Sequence, residues 1–230
     1  MTTAQFEQFL TGVDLPGYRA RYSHIKLVEM DLPKSIQAIA LLYAVYWDER
    51  AWLSYEDFYQ RYRNEKAAEL EAFRTKITMC EDCFYRGLEA RIYRTWAGLI
   101  TQIHAGYVAE SVFGPGTVAM SAELDNQGAD IRVTYRGQQL NYQVKKDSYS
   151  GVMSRRPLAR KKVLPGENID IKYEVPVSLA DPKTKSGEYR KPYQRFLDDT
   201  RTRALPNHFV IFTDEVFAKK KAELDAALGQ

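Results

Sequence analysis

The chain has 230 residues, 45% of them hydrophobic, and a formal net charge of +3. That is ample apolar material for one large core, read as a single domain with a sizeable extension. No apolar run reaches the roughly 18 residues of a membrane-spanning helix. The amino terminus lacks the basic-then-apolar order of a secretory leader, and two cysteines make no disulfide framework, so a reducing cytoplasm is the expectation.

Charge is unevenly placed. From Lys145 to Arg203 there are 15 Lys and Arg against 8 Asp and Glu, while the remainder of the chain is net acidic. A basic segment of this kind suits a polyanion partner, although a solvated basic face has the same composition.

Residues 1–86 read as mainly helical. Phe6, Phe9 and Leu10 recur at helical spacing, with interruptions expected at Leu15-Pro16-Gly17 and at Asp31-Leu32-Pro33. An apolar helix is expected over Ser35 to Trp47. Ser54 with Asp57 resembles a capping box opening an amphipathic helix to about Lys76. Cys80-Glu81-Asp82-Cys83 is half of a zinc motif without its second half, since His24, His104 and His208 are not suitably spaced. These cysteines read as incidental to a helix boundary.

Residues 87–230 read as the second region, beginning within the clearest helix, 86–113, whose stripe is Leu88, Ile92, Trp96, Leu99, Ile100, Ile103 and Tyr107. Glu110 points toward that stripe from the last turn, where the macrodipole disfavours an anion. A functional carboxylate and a rim glutamate paired with an arginine both fit. Gly114-Pro115-Gly116 ends the helix. Val118 to Leu124 reads as a strand, Asp125 to Gly128 as a turn, and Ala129 to Lys146 as a β-hairpin.

In the hairpin, Ile131, Val133 and Tyr135 alternate with Asp130, Arg132 and Thr134. Leu140, Tyr142 and Val144 alternate with Asn141, Gln143 and Lys145. With Arg136-Gly137 as a two-residue loop, Tyr135 faces Gln138 and Asp130 falls opposite Gln143, with Lys145 diagonal to it. Opposite Cβ atoms lie roughly 5 Å apart and diagonal ones roughly 7–8 Å, so a carboxylate, an amide and an ammonium are expected to share one small site. A cap on the preceding turn is the plain alternative for Asp130, and a solvated strand residue for Lys145. Lys146 falls on the apolar-set face by parity and is the second choice of lysine. Asp125 reads as a turn former close enough to serve as a supporting acid.

Further along, 147–169 reads as a basic loop with Arg155, Arg156, Arg160, Lys161 and Lys162. Asp170 to Leu179 reads as strand. Residues 181–203 are polar and basic and include Arg195. His208 to Thr213 reads as a buried strand, and a last helix follows Asp214 to about Leu228.

The order helix, three strands, insertion, strand, helix, with Asp130 followed by Gln143-Val-Lys145, resembles the PD-(D/E)xK nuclease fold with Gln where an acid is usual. The fold class expected is α/β (α+β), a mixed central sheet flanked by helices with a helical N-terminal extension. In that reading Asp130, Glu110 and Asp125 hold Mg²⁺, Lys145 orients a water and offsets charge, and Gln143 places a water or lends an amide oxygen. Arg155, Arg156, Arg160, Lys161, Lys162 and Arg195 are the candidate DNA contacts.

More specifically, Tyr93-Arg-Thr-Trp-Ala97, Thr101-Gln-Ile-His-Ala-Gly-Tyr107, Ala122-Glu-Leu-Asp125 through Gly128-Ala-Asp130, and Gln143-Val-Lys-Lys146 resemble the TaqI family of type II restriction endonucleases. Asp31-Leu-Pro33, Leu42-Tyr43 and Tyr46-Trp47 add to the likeness. The resemblance implies a bacterial, Mg²⁺-dependent homodimer that cuts double-stranded DNA at TCGA after the T, leaving 5′ CG overhangs. It also implies that the family's two functional aspartates, five apart, fall on Asp125 and Asp130. A repair or branched-DNA nuclease, and a DNA-binding module with a decayed site, are the competing readings.

Overall fold

The structure, a computed structural model, describes residues 2–25, 32–147, 164–174 and 182–228. Helix α1 (Thr3–Thr11) is closed by a capping box between Thr2 and Gln5 and buries Phe6 and Leu10, as their spacing predicts. The expected break at Leu15-Pro16-Gly17 is instead the start of α2 (Leu15–Tyr22), capped by Asp14. Proline in a first turn loses no hydrogen bond, so it opens a helix as readily as it ends one.

The expected helix from Ser35 to Trp47 is three pieces: a 3₁₀ turn at Lys34–Ile36, α3 (Ile39–Tyr43), and a π-helical turn at Ala44–Asp48. Ser54 caps α4 (Tyr55–Glu65) as expected, but Lys66 breaks the helix before α5 (Ala67–Lys76). Helix α6 (Glu81–Phe113) then runs for 33 residues, about 50 Å at 1.5 Å per residue. Cys80 caps it and is joined to Cys83 by a disulfide across the first turn. The helix boundary falls at these cysteines, as the sequence suggests, and a spacing of three residues at a helix start brings both side chains to one edge.

Beyond α6 the chain forms β1 (Val118–Ala119), α7 (Ala122–Gln127), β2 (Ile131–Tyr135), β3 (Gln138–Asp147) and β4 (Glu167–Glu174). The sheet order is β1-β2-β3-β4, antiparallel except for the parallel β3–β4 pair. The expected strand from Val118 to Leu124 is thus two residues of strand and a short helix. Ser121 accepts the Leu124 N–H at 3.1 Å as an N-cap, and Ala122-Glu-Leu-Asp125 are poor strand residues once capped. Helix α8 (Lys191–Asp198) follows, then β5 (Thr202–Ala204) and β6 (Val210–Phe212), a separate antiparallel pair, and α9 (Glu215–Leu228).

One continuous apolar core runs from Phe6 to Phe217, and α6 lies at its centre. On one side it meets the tyrosine-rich N-terminal helices; on the other, the sheet and α9. Ring contacts mark the second side: Phe113 with Tyr135 (5.4 Å), Tyr142 with Phe217 (5.1 Å) and Tyr173 with Phe212 (5.4 Å). Among the described residues no helix is long and apolar enough to cross a membrane.

His104 of α6 is fully buried where α1, α6 and β6 meet. Its Nδ1 accepts the Phe212 N–H at 3.4 Å, and its Nε2 lies 3.2 Å from a Glu7 oxygen, with Arg203 also on Glu7. Burial outweighs the attraction of Glu7 and holds the imidazole below its ordinary range. The unfolded chain therefore takes up a proton near pH 6.5 that the folded chain refuses. The contribution is complete above that pH and is lost as pH falls below it. Glu7, held low by His104, adds a second loss through the carboxylate range. Urea midpoints at pH 7.5, 6.5 and 5.5 should fall with acidity, by up to about 1.4 kcal/mol per pH unit for one proton. His104→Gln should flatten the change between pH 6.5 and 5.5; an unaltered slope would show that the acid sensitivity lies elsewhere.

Candidate active site

The site grows from the hairpin register. Arg136 and Gly137 both have positive φ, +48° and +79°, the backbone that lets a two-residue loop match strand twist. Tyr135 pairs with Gln138, and the ladder continues to Ile131 opposite Tyr142, as the sequence predicts. One step further the ladder ends. The Val144 N–H would next meet the carbonyl of residue 129. Instead the Asp130 carboxylate takes it, Oδ2 accepting at 2.6 Å, while the Asp130 N–H donates to the Tyr142 carbonyl at 2.9 Å. Asp130 is only 4% exposed.

The approach to Asp130 is set by α7. Gly128, at φ +100°, closes that helix in the left-handed conformation, and the Ala129 N–H returns to the Leu124 carbonyl at 3.1 Å. Asp125 sits half-buried on the last turn of α7. It is a helical residue, not the turn residue the sequence suggests. Helix α3 packs against α7, and its last residue, Tyr43, is 2% exposed. Burial first, then the charges of Asp125 and Asp130, push the Tyr43 hydroxyl well above the ordinary phenol range. The charges of both aspartates are thus felt by one buried phenol. Tyr173 of β4, pushed up to about 12 mainly by burial, also feels Asp130.

Lys145 is paired on the neighbouring strand. Its ammonium meets Asp170 of β4 at 2.5 Å, both side chains about half exposed. The parallel register explains this: Gln143 stands opposite Asp170, Lys145 opposite Lys172, and Lys146 opposite Tyr173. Asp170 is thus the acid beside Gln143 and Lys145. The strand expected from Asp170 starts three residues earlier, at Glu167, and no local signal reports its pairing with β3.

Glu110 is held in an ion pair with Arg50 at 2.7 Å, and its other oxygen lies 3.4 Å from the Gly116 N–H. Arg50 in turn lies over the rings of Trp47 and Tyr107, at 4.9 and 4.7 Å. This is the rim pairing foreseen as the plain alternative, and it ties the end of α6 to the π-helical turn. Among the described residues no three His, Cys, Asp or Glu side chains form a metal-binding group, so Glu110, Asp125 and Asp130 are not gathered into one. Arg195 is exposed on α8. Arg155, Arg156, Arg160, Lys161 and Lys162 lie outside the described residues.

A cleft of about 390 Å³ opens beside α6, lined by Arg19, Tyr93, Arg94, Thr101, Tyr173 and His208 among others. Tyr173 thus borders this cation-lined cleft and also feels the charge of Asp130.

The family model described as TaqI restriction endonuclease matches residues 3–223. The type II restriction enzyme TaqI of Thermus aquaticus is 30% identical over 232 residues, which span 94% of this chain and 88% of that one. The type II restriction enzyme TthHB8I of Thermus thermophilus is 31% identical over 232 residues, spanning 91% and 82%. No solved structure matches the chain significantly. A match over nearly the whole chain, on a mixed sheet flanked by helices that suits a restriction-endonuclease-like fold, means that this chain belongs to the TaqI restriction endonuclease family and is a type II site-specific deoxyribonuclease.

Proposed function

We propose that the chain acts as a homodimer on double-stranded DNA, hydrolysing the phosphodiester after the T of TCGA with Mg²⁺ and leaving 5′ CG overhangs. The recognition bases, overhang and dimer rest on family likeness. The observation that carries the site is the buried Asp130 carboxylate, fixed on the Val144 N–H with Asp125 nearby. A palindrome is matched by a two-fold dimer with one active site per strand.

Mg²⁺ keeps several waters and usually takes one or two protein carboxylates together with substrate phosphates. A pair of aspartates beside a buried phenol that lacks a hydrogen-bond partner fits that demand. When bound there, the ion supplies an acidified water and offsets charge on the phosphate. The protein supplies orientation. Asp130 is held in one rotamer by a backbone donor, and Gln143 offers a neutral amide to place a water. Glu110, engaged by Arg50, would complete the ion's shell directly or through water.

The cation comes from the Lys145–Lys146 pair. Lys145, expected to serve Asp130, is drawn to Asp170, which leaves Lys146, opposite Tyr173, as the stronger choice. Arg155, Arg156, Arg160, Lys161, Lys162 and Arg195 are proposed to meet DNA. Most such contacts go to phosphates, and an arginine on a guanine edge supplies specificity of about 1–3 kcal/mol.

A digest of DNA of known sequence, with fragment ends mapped, should give ends at each TCGA with 5′ CG overhangs. A smear, or cutting only at branches, would instead favour a repair nuclease. Asp130→Asn keeps an oxygen for the Val144 N–H but removes the charge. It should therefore fold and bind duplex DNA while cleavage falls roughly 100-fold or more, the scale of losing one preorganised group. Undiminished cutting would remove Asp130 from the reaction. Lys146→Ala should slow cleavage about 100-fold, and Lys145→Ala less than about 10-fold; the reverse ranking, measured on one substrate, would return the role to Lys145.

A further inference from the structure

Buried tyrosine hydroxyls in this protein have partners almost throughout. Tyr46 donates to the Leu53 carbonyl at 2.6 Å, Tyr62 to that of Ile36 at 2.6 Å, Tyr107 to that of Tyr46 at 2.6 Å and Tyr55 to that of Glu89 at 2.5 Å. Tyr43 and Tyr142 are the exceptions among the described residues. Tyr142 packs on Phe217 of α9. Tyr43 is different, because it ends α3, which packs against α7, the helix that carries Asp125 and leads into Asp130.

A buried hydroxyl without a partner costs free energy, and native structures keep few of them unless an ion, a water or a function accounts for the group. Phenylalanine would fill the same space without that cost. The backbone at this point is also irregular: α3 ends at Tyr43, and the π-helical turn Ala44–Asp48 follows at once. Such turns recur at functional sites.

We propose that Tyr43 is a positioning residue of the active site, its hydroxyl holding a water in the shell of a divalent cation bound by Asp125 and Asp130. This rests on the reading of those aspartates as the ion's ligands. The phenol can accept a hydrogen bond from an ion-bound water or donate one to a carboxylate oxygen. Either contact restricts how that water sits relative to the phosphate. Residues that orient ligands in this way typically change metal affinity or activity 10–100-fold when altered.

The test is Tyr43→Phe in the full chain, with Mn²⁺ as the probe in the absence of DNA, free ion being counted by electron paramagnetic resonance. Mn²⁺ affinity should fall about 10-fold, and the Mg²⁺ concentration for half-maximal cleavage should rise by a similar factor. The urea midpoint should stay the same or rise, because the fold does not use the hydroxyl. A lowered midpoint with unchanged Mn²⁺ binding would make the hydroxyl structural and overturn the proposal. Asp130→Asn is measured alongside. If it loses Mn²⁺ binding while Tyr43→Phe binds as the unmodified chain does, the proposal for Tyr43 alone falls. If both variants bind Mn²⁺ undiminished, the ligand reading of the aspartates falls and takes Tyr43 with it.

Discussion

A single hydrogen bond, from the Val144 N–H to the Asp130 carboxylate, sets the geometry on which the candidate active site depends. It forms where the β2–β3 ladder stops, so a side chain completes what the backbone of residue 129 would otherwise supply. An unmet N–H in that buried position would cost about 1–3 kcal/mol. The same carboxylate thus closes the sheet and stands at the site. Everything upstream serves this placement: the Arg136-Gly137 turn sets the register, and α7 with its Gly128 terminus brings the chain in at the right angle.

Helix α6 carries the second constraint. It is buried along both flanks, so the N-terminal helices and the sheet share one core. That is how a residue as early as Tyr43 comes to sit on a helix packed against the one that carries Asp125, more than 80 positions later. The ion pair of Arg50 with Glu110, backed by the rings of Trp47 and Tyr107, fastens the π-helical turn to the end of α6. Charge near the sheet is divided. Asp125 rides on α7, which packs against α3, whereas Lys145 and Asp170 form a half-exposed pair on neighbouring strands. Such a pair contributes only about 0–1 kcal/mol to stability but directs where the ammonium rests.

Much of this was legible in the chain itself. The alternation of Ile131 to Tyr135 and Leu140 to Val144, with a Gly-containing two-residue loop, determined the hairpin and its register because turn geometry and strand pairing are local. The stripe from Leu88 to Tyr107 determined α6, and the motifs around Tyr93, Thr101, Asp125 and Gln143 determined the family. Tertiary structure alone decided the rest. Parallel pairing of β3 with β4 reaches across an intervening segment, so no periodicity announced that Asp170 would claim Lys145. The end of the ladder at Asp130 depends on how the chain leaves α7, which turns the carboxylate onto the Val144 N–H. The unpartnered hydroxyl of Tyr43 is invisible in sequence, because a lack of hydrogen bonding exists only once every surrounding group has taken its place.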